Sequence, residues 1–390
     1  MNDFASTSSY ISCLIALIID FACTLIVIII ITKIPQYSFY DLVSNAMNKW
    51  VAKLAYILLF VYFFVKMSIA LTEIHDYYTS SLFEELNPYF AIIVLFFLLL
   101  FMLQKNFQTL GRLLEVLFWP MAIGIGFTLI FPFSDIEISN LLPIFEDGMY
   151  PVWNAVYRTS LAFGDFMLLF ILMGKISYKK NSRKKLILYV YNAMSFIFNF
   201  YVVFVGAFGD TTINQTLALG ELPLHNPHPA TINRLEWLTV IIWTALMFIN
   251  AGILGKCCCD CIKNIFGLSD NKIQSFVISI LATVIQVFAM FRVNIIAKIG
   301  TNRVAAPISI GFYIVMLTIL IICYFRLKKP KGITNIESQI EQSRTNIRRA
   351  KECSDYSKSW AETSSSIYLL YSYSLCSQQH YIFSLTKTKI

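Results

Sequence analysis

Nine long apolar stretches dominate the chain and restrict it to a few folds. They lie at residues 9–32, 51–71, 89–103, 117–133, 153–174, 186–208, 237–254, 275–291 and 305–325. A bilayer core about 30 Å thick is spanned by a helix of roughly 20 apolar residues, and lipid offers no partner for a free backbone amide. The sequence therefore predicts an all-α membrane protein with nine transmembrane helices. The 57% apolar and 14% charged content agrees with this class, because soluble domains are about 25% charged.

The loops between these stretches alternate in charge. The first, third, fifth and seventh loops carry Lys and Arg, and residues 175–185 are the most basic of them. The second and fourth loops carry only acidic charges. Because basic residues mark the cytoplasmic side of a membrane protein, the N-terminus is predicted outside and the C-terminus in the cytoplasm. The net charge of +8 is then a topology signal, and no basic soluble domain suited to nucleic acid is expected.

Two regions follow from the change in composition near residue 325. Residues 1–325 are predicted to form a polytopic transmembrane domain, and residues 326–390 a polar, flexible cytoplasmic tail. A frame-shifted end of the gene would also explain so abrupt a change. The first stretch lacks preceding positive charge and a following small-x-small site, so a retained helix is favoured over a cleaved signal peptide.

Motifs for catalysis or metal binding are weak. The chain has no phosphate loop and no Gly-x-Ser-x-Gly, so it is predicted not to be an enzyme and to need no cofactor. Four cysteines fall within residues 257–261, but their spacing lacks paired Cys-x-x-Cys; reduced thiols are favoured over zinc ligands. His225 and His228 are separated and followed by proline, which favours a turn over a metal site.

Asp165 is the main candidate for a binding residue. It lies in the middle of the fifth stretch, directly after Phe163 and Gly164. An ionisable residue at membrane depth is costly and points to function, and glycine tolerates non-helical backbone. This pattern predicts a discontinuous helix whose exposed backbone groups bind a small zwitterion or ion. The alternative is a continuous helix in which Asp165 pairs with a Lys or Ser of a neighbour.

Three further residues complete the predicted ligand site. Tyr62 is central in the second stretch, although core packing is the favoured role in a chain with 21 tyrosines. Trp243 and Thr244 are central in the seventh stretch, where they either line a cavity or pack. The candidate ligand-binding set is therefore Phe163, Gly164, Asp165, Tyr62, Trp243 and Thr244.

Other charges within the stretches receive structural interpretations. Asp20 lies in the middle of the first stretch, where it serves either as a structural partner or as part of a site. Lys53 and Lys66 lie toward the ends of the second stretch and are predicted to snorkel, with their ammonium groups extended to water.

Four segments resemble the B subunits of spore nutrient-germinant receptors. Gly111–Pro120 (GRLLEVLFWP) resembles their Gly…Arg-x-x-Glu…Pro signature, and Leu142–Gly148 (LPIFEDG) resembles the loop before their sixth helix. Phe163–Asp165 falls where the family carries an aromatic residue, a glycine and an acid. Asn233–Trp237 with Trp243 resembles the entry into the eighth helix. The order and spacing agree over about residues 9–325.

The resemblance implies a fold and a function. The family belongs to the amino acid–polyamine–organocation superfamily, whose LeuT/APC-type bundle has ten helices in two inverted repeats. It implies binding of a germinant, often an amino acid, in the spore inner membrane together with A-type and C-type receptor subunits. On this alignment the nine stretches match family helices two to ten, and the first helix, which supplies the other half of the pocket, has no counterpart. A cell-membrane amino acid permease acting alone, or a truncated non-functional copy, are the alternatives.

Overall fold

The architecture is helical throughout the part of the chain that can be described. The computed structural model describes residues 8–77, 88–130, 136–142, 145, 148–175, 182–213, 235–267 and 305–328, with isolated positions between 276 and 284. The α-helices within these ranges are α1 (Ser9–Lys33), α2 (Phe39–Ala46), α3 (Lys49–Tyr77), α4 (Pro88–Leu103), α5 (Phe107–Ile130), α6 (Met149–Arg158), α7 (Met167–Leu172), α8 (Ser182–Phe208), α9 (Leu235–Phe266) and α10 (Ala305–Lys328). Short 3₁₀ turns lie at Ile138–Leu141 and Gly209–Ile213.

Five of the described helices have the length and apolar composition needed to cross a membrane. The spans are Ser9–Lys33, Lys49–Thr72, Arg183–Phe208, Thr244–Phe266 and Ala305–Leu327, which match the first, second, sixth, seventh and ninth apolar stretches. The third stretch forms α4, a helix of 16 residues, and the fifth is divided between α6 and α7. The eighth falls mostly outside the described residues, so the count of nine helices stays a prediction.

Helix α9 lies at the centre of the bundle and packs against α3, α4 and α5. Two glycines allow α4 to approach its backbone. A Cβ at Gly252 would lie 2.6 Å from Met102 Cε, and one at Gly255 would lie 2.7 Å from Leu103 Cδ2. Small residues between membrane helices permit this close packing. Of the apolar window in α9, 83% is buried, compared with 22% in α10, in agreement with the central position of α9.

One end of the bundle joins the start of α1 to the end of α8. The Tyr10 hydroxyl donates a hydrogen bond to the Leu141 carbonyl (3.2 Å), and the Glu137 N–H donates to the Gly206 carbonyl (3.2 Å). Helices α1 and α8 also pack against each other. Since α1 begins where α8 ends, these two long helices run antiparallel.

The opposite end of the bundle collects basic side chains. Lys33 Nζ lies 5.6 Å from the centroid of an aromatic ring of α10, and Arg326 donates a hydrogen bond to the last residue of α2 (3.1 Å). Lys175 forms an ion pair with Asp260 near the end of α9. The alternation of loop charge therefore becomes a difference between the two ends of the folded molecule, as expected for a protein with one cytoplasmic face.

Candidate functional site

The fifth apolar stretch is a discontinuous helix, as its Gly-Asp pair predicts. Helix α6 ends at Arg158 and α7 begins at Met167, so residues 159–166 leave the regular α-helical ladder. Tight turns replace it: the Ala162 N–H donates to the Thr159 carbonyl (2.9 Å), and the Met167 N–H donates to the Gly164 carbonyl (3.1 Å). We call residues 159–166 the break.

Gly164 is required at the break for two reasons. Its φ of +100° lies in the region that side chains with a Cβ rarely adopt. A Cβ at this position would also lie 2.4 Å from the Tyr313 ring, well inside van der Waals contact. The glycine thus allows both the turn of the chain and the close approach of α10.

Side chains from three other helices satisfy the backbone groups that the break exposes. The Tyr62 hydroxyl on α3 donates to the Gly164 carbonyl (2.9 Å). The Tyr313 hydroxyl on α10 lies 2.5 Å from the Phe163 carbonyl oxygen. The Gly164 N–H donates to Asp20 Oδ1 on α1 (3.0 Å). Because an unsatisfied backbone group in lipid costs several kcal/mol, these contacts make the break sustainable.

A buried ion pair crosses the same place. Lys66 Nζ on α3 lies 2.8 Å from Asp165 Oδ1, and the two side chains are 6% and 2% exposed. The same ammonium lies 3.4 Å from each of the carbonyl oxygens of Ala162 and Phe163. It also lies 5.2 Å from the centroid of the Tyr62 ring. One positive charge therefore faces a carboxylate, two carbonyls and an aromatic ring.

The snorkelling prediction for Lys66 is wrong. A lysine extends toward water when its surroundings are apolar, but here the break supplies charged and polar acceptors inside the bundle. The outcome combines the two alternatives considered for Asp165, since the helix is broken and its carboxylate pairs with a lysine of a neighbour. Lys53, by contrast, is only half-buried and lies 5.7 Å from the centroid of the Trp50 ring.

Aromatic rings enclose the ion pair. Tyr62 stacks on Phe312 with 5.1 Å between the ring centroids and meets Tyr313 edge-on at 5.9 Å. Phe166 packs edge-on against Tyr313 at 5.5 Å. These rings reduce access of water, which strengthens electrostatic interactions inside the site. The site is polar at the break and apolar around it, a combination suited to a small molecule with charged and apolar parts.

The structure brings together four of the six predicted site residues. Phe163, Gly164, Asp165 and Tyr62 are all at the break. Thr244 on α9 has a buried Oγ1 that makes no hydrogen bond within the described residues. The side chain of Trp243 lies outside the described residues.

Sequence reasoning missed two residues of the site and left one open. Tyr313 carries no distinguishing pattern among 21 tyrosines. The sequence could have indicated a site role for Lys66, because this lysine directly follows the apolar run 57–65, where a charge is costly. Asp20 has the structural role considered for it, since its carboxylate accepts the Gly164 N–H.

The cysteine cluster shows no sign of metal binding where the structure describes it. All four cysteines within residues 257–261 are buried and free. Within the described part of the chain, no group of three or more His, Cys, Asp or Glu is arranged to hold a metal ion. The predicted turn at His225 and His228 and the predicted tail beyond residue 328 lie outside the described residues.

Comparison with known proteins places this helical arrangement in a family. A family model described as spore germination protein matches residues 2–296, a range that includes the break. The chain belongs to this family. It is also 24% identical over 246 residues to the spore germination protein YndE of Bacillus subtilis (strain 168), an alignment that covers 62% of the chain and 68% of that protein. No solved structure matches. The chain is therefore a helical membrane protein of the spore germination family.

Proposed function

We propose that the chain is the membrane subunit of a spore nutrient-germinant receptor that binds a small amino acid at the break. The observation that carries this proposal is the buried set of charges and freed backbone groups around Gly164 and Asp165. Broken membrane helices hold small charged ligands in this way, because their exposed N–H and C=O groups act as ligand contacts. Membership of the spore germination family supplies the biological setting.

The break offers complementary groups for a zwitterion. The Asp165 carboxylate and the Phe163 carbonyl accept hydrogen bonds, which suits an ammonium group. The Gly164 N–H is a donor, which suits a carboxylate. Tyr62, which contacts both the Gly164 carbonyl and the aromatic wall, closes the site beside the ligand's side chain. Trp243 and Thr244, which the sequence places in the middle of an apolar stretch, stay in the proposed set as predictions.

Signalling would start from a change in the break. A ligand can shift a protein between two states only through different contacts in each. A ligand at the break changes the contacts of Asp165, and α7 connects this point to the basic end of the bundle. There we propose contacts with A-type and C-type subunits in the spore inner membrane, within a LeuT/APC-type inverted-repeat bundle whose C-terminus is cytoplasmic.

The test is the response of spores carrying Asp165→Asn. Loss of the charge weakens the ammonium contact, and hydrogen bonds to charged groups are worth about 1.5–3 kcal/mol. The germinant dose–response curve is therefore expected to shift roughly tenfold or more toward higher concentration. Glu137→Gln, an exposed carboxylate at the end of the bundle, is the matched control and should leave the curve unchanged. If spores carrying Asp165→Asn respond normally to the germinant, and the variant is present in the membrane at normal levels, the break does not bind the germinant.

An amino acid permease acting alone is the second candidate function. The broken helix favours it as well, since substrate sites of transporters are built from such helices. Purified protein in proteoliposomes distinguishes the two functions. A receptor subunit binds labelled amino acid and accumulates none without its partners, whereas a permease takes it up against a matched control carrying Asp165→Asn.

A further inference from the structure

We propose that the Lys66 ammonium occupies the part of the ligand site that would bind the ammonium group of a ligand. In the described structure the lysine fills the position that the amine of a ligand would take. A primary amine must therefore displace Lys66 in order to bind. The reference to a ligand rests on the proposed function, but the ammonium site itself can be tested separately.

The contacts of Lys66 Nζ match the needs of a primary ammonium. An ammonium group has three N–H donors and no acceptor. Three acceptors face it here: Asp165 Oδ1 at 2.8 Å and the carbonyl oxygens of Ala162 and Phe163 at 3.4 Å each. The fourth contact is the face of the Tyr62 ring, at 5.2 Å from the centroid, which attracts a cation electrostatically.

These acceptors are present because of the break and not because of Lys66. In a continuous helix the carbonyls of Ala162 and Phe163 would be used by N–H groups one turn later. Here α7 begins only at Met167, and the Phe163 carbonyl is also held by Tyr313 from α10. The Phe163 carbonyl is therefore held by a helix other than α3, and the acceptor set is expected to survive removal of the lysine side chain.

The anion side of the break is occupied in a similar way. Asp20 Oδ1 accepts the Gly164 N–H at 3.0 Å, the position proposed for a ligand carboxylate. The molecule thus supplies its own ammonium from α3 and its own carboxylate from α1. The two side chains reproduce the charges of a zwitterion across the break, which identifies the ligand class as a small primary amine with a carboxylate.

Chemical rescue tests the ammonium site without knowledge of the natural ligand. Lys66→Ala removes the atoms beyond Cβ, and n-propylammonium has the same three carbons and one nitrogen. In purified protein in nanodiscs, n-propylammonium chloride is expected to raise the Tm of Lys66→Ala by about 3 °C or more relative to sodium chloride. It should not raise the Tm of the unsubstituted protein, whose site is filled.

Four controls test which chemical features of the amine and of the site are needed. Neither 1-propanol, which lacks the charge, nor tetramethylammonium, which lacks N–H donors, should stabilise Lys66→Ala. Lys53→Ala on the same helix, whose lysine contacts only an aromatic ring in the described structure, should not respond to n-propylammonium. Lys66→Ala combined with Asp165→Asn should also lose the response, because the carboxylate that fixes the amine is gone.

Each possible result of the Tm comparison either supports or overturns the proposal. Equal Tm in the two salts for Lys66→Ala overturns it, as does equal stabilisation by tetramethylammonium. If Lys66→Ala does not fold in sodium chloride, recovery of folded protein only in n-propylammonium chloride supports it. Lys66→Ser, which also removes the ammonium but keeps a polar side chain on α3, repeats the test, and failure of both variants in both salts overturns it.

The result is separable from the receptor proposal. Rescue by n-propylammonium, with no binding of tritium-labelled amino acids by the unsubstituted protein, would keep the ammonium site and reject the receptor. Amino acid binding that depends on Asp165, without rescue by n-propylammonium, would keep the receptor and reject the role proposed for Lys66.

Discussion

At the scale of single residues, Gly164 decides whether the break can exist. Its positive φ and the nearby Tyr313 ring both exclude a Cβ. A left-handed conformation costs other residues about 1–2 kcal/mol, and a clash within a packed interior adds about 1–3 kcal/mol. One glycine therefore controls both the path of the chain and the position of α10.

Gly164→Ala is expected to lower the free energy of unfolding by about 2–5 kcal/mol. The measurement is the Tm of purified protein in detergent, followed by helical circular dichroism. Gly311→Ala is the matched control, because Gly311 lies on α10 with open space at its Cβ position, and alanine is the better helix former. A Gly164→Ala protein as stable as this control would show that the break relaxes without the glycine.

The pair of Lys66 and Asp165 explains why single charges are retained in this core. Removing one member of a buried ion pair leaves an uncompensated charge and typically costs about 3–5 kcal/mol, whereas replacing both can be neutral. The pair is therefore weak evidence for added stability. Its value at this position is specificity, because it holds opposite charges at the break where a zwitterion would bind.

At the scale of elements, α7 is a short helix set between two glycine turns. All six of its residues are buried, and Gly164 and Gly174 on either side have φ of +100° and +76°. A Cβ at Gly174 would lie 2.8 Å from the Ser38 amide nitrogen, so the second turn packs tightly on the start of α2. The helix therefore links the break to the Lys175–Asp260 pair.

Lys175→Gln is expected to change signalling more than stability. The Lys175 side chain is 39% exposed and the Asp260 side chain is 10% exposed. Because the glutamine amide still offers a hydrogen-bond donor to the carboxylate, we expect a loss of about 1 kcal/mol and a fall in Tm of no more than about 3 °C. Since this pair anchors the end of α7, the germinant dose–response curve should shift while binding of labelled amino acid is retained. Lys53→Gln is the matched control and should leave the curve in place. Identical germinant dose–response curves for the two variants would show that α7 takes no part in signalling.

At the scale of the whole molecule, charge distinguishes the two ends of the bundle. Helix α8 has 27 residues and is therefore about 40 Å long. Lys184 lies in its first turn, and Ser139 lies in the 3₁₀ turn beside Gly206 at its other end. These positions are on opposite faces of any membrane that α8 crosses.

Labelling of introduced cysteines tests the predicted orientation. An impermeant maleimide added outside intact cells should label Ser139→Cys and not Lys184→Cys, and permeabilised cells should show label on both. Both positions are exposed in the structure, so accessibility within the fold does not bias the result. The unsubstituted chain supplies the background from native cysteines. External labelling of Lys184→Cys alone would show that the orientation is the reverse of the predicted one.

The sequence by itself determined what depends on local composition. Apolar length predicts where helices that can cross a membrane lie, and five of the nine stretches form such helices within the described residues. Loop charge predicts a polarity without reference to packing. The break was also predictable, because a glycine followed by a carboxylate within an apolar run disfavours a continuous helix locally. Four segment matches were enough to indicate the family that the comparison confirmed.

Only the tertiary structure decided which side chains meet at the break. Lys66 and Asp165 are 99 residues apart in the chain, and Tyr313 is 150 residues from Phe163. Their contacts depend on how α3 and α10 are packed and rotated, and apolar periodicity contains little information on rotation when every face is apolar. The nine stretches indicated helices in a membrane. The Lys66 side chain, however, points into the bundle and not toward water, because the break supplies acceptors from a part of the chain that is far away in sequence.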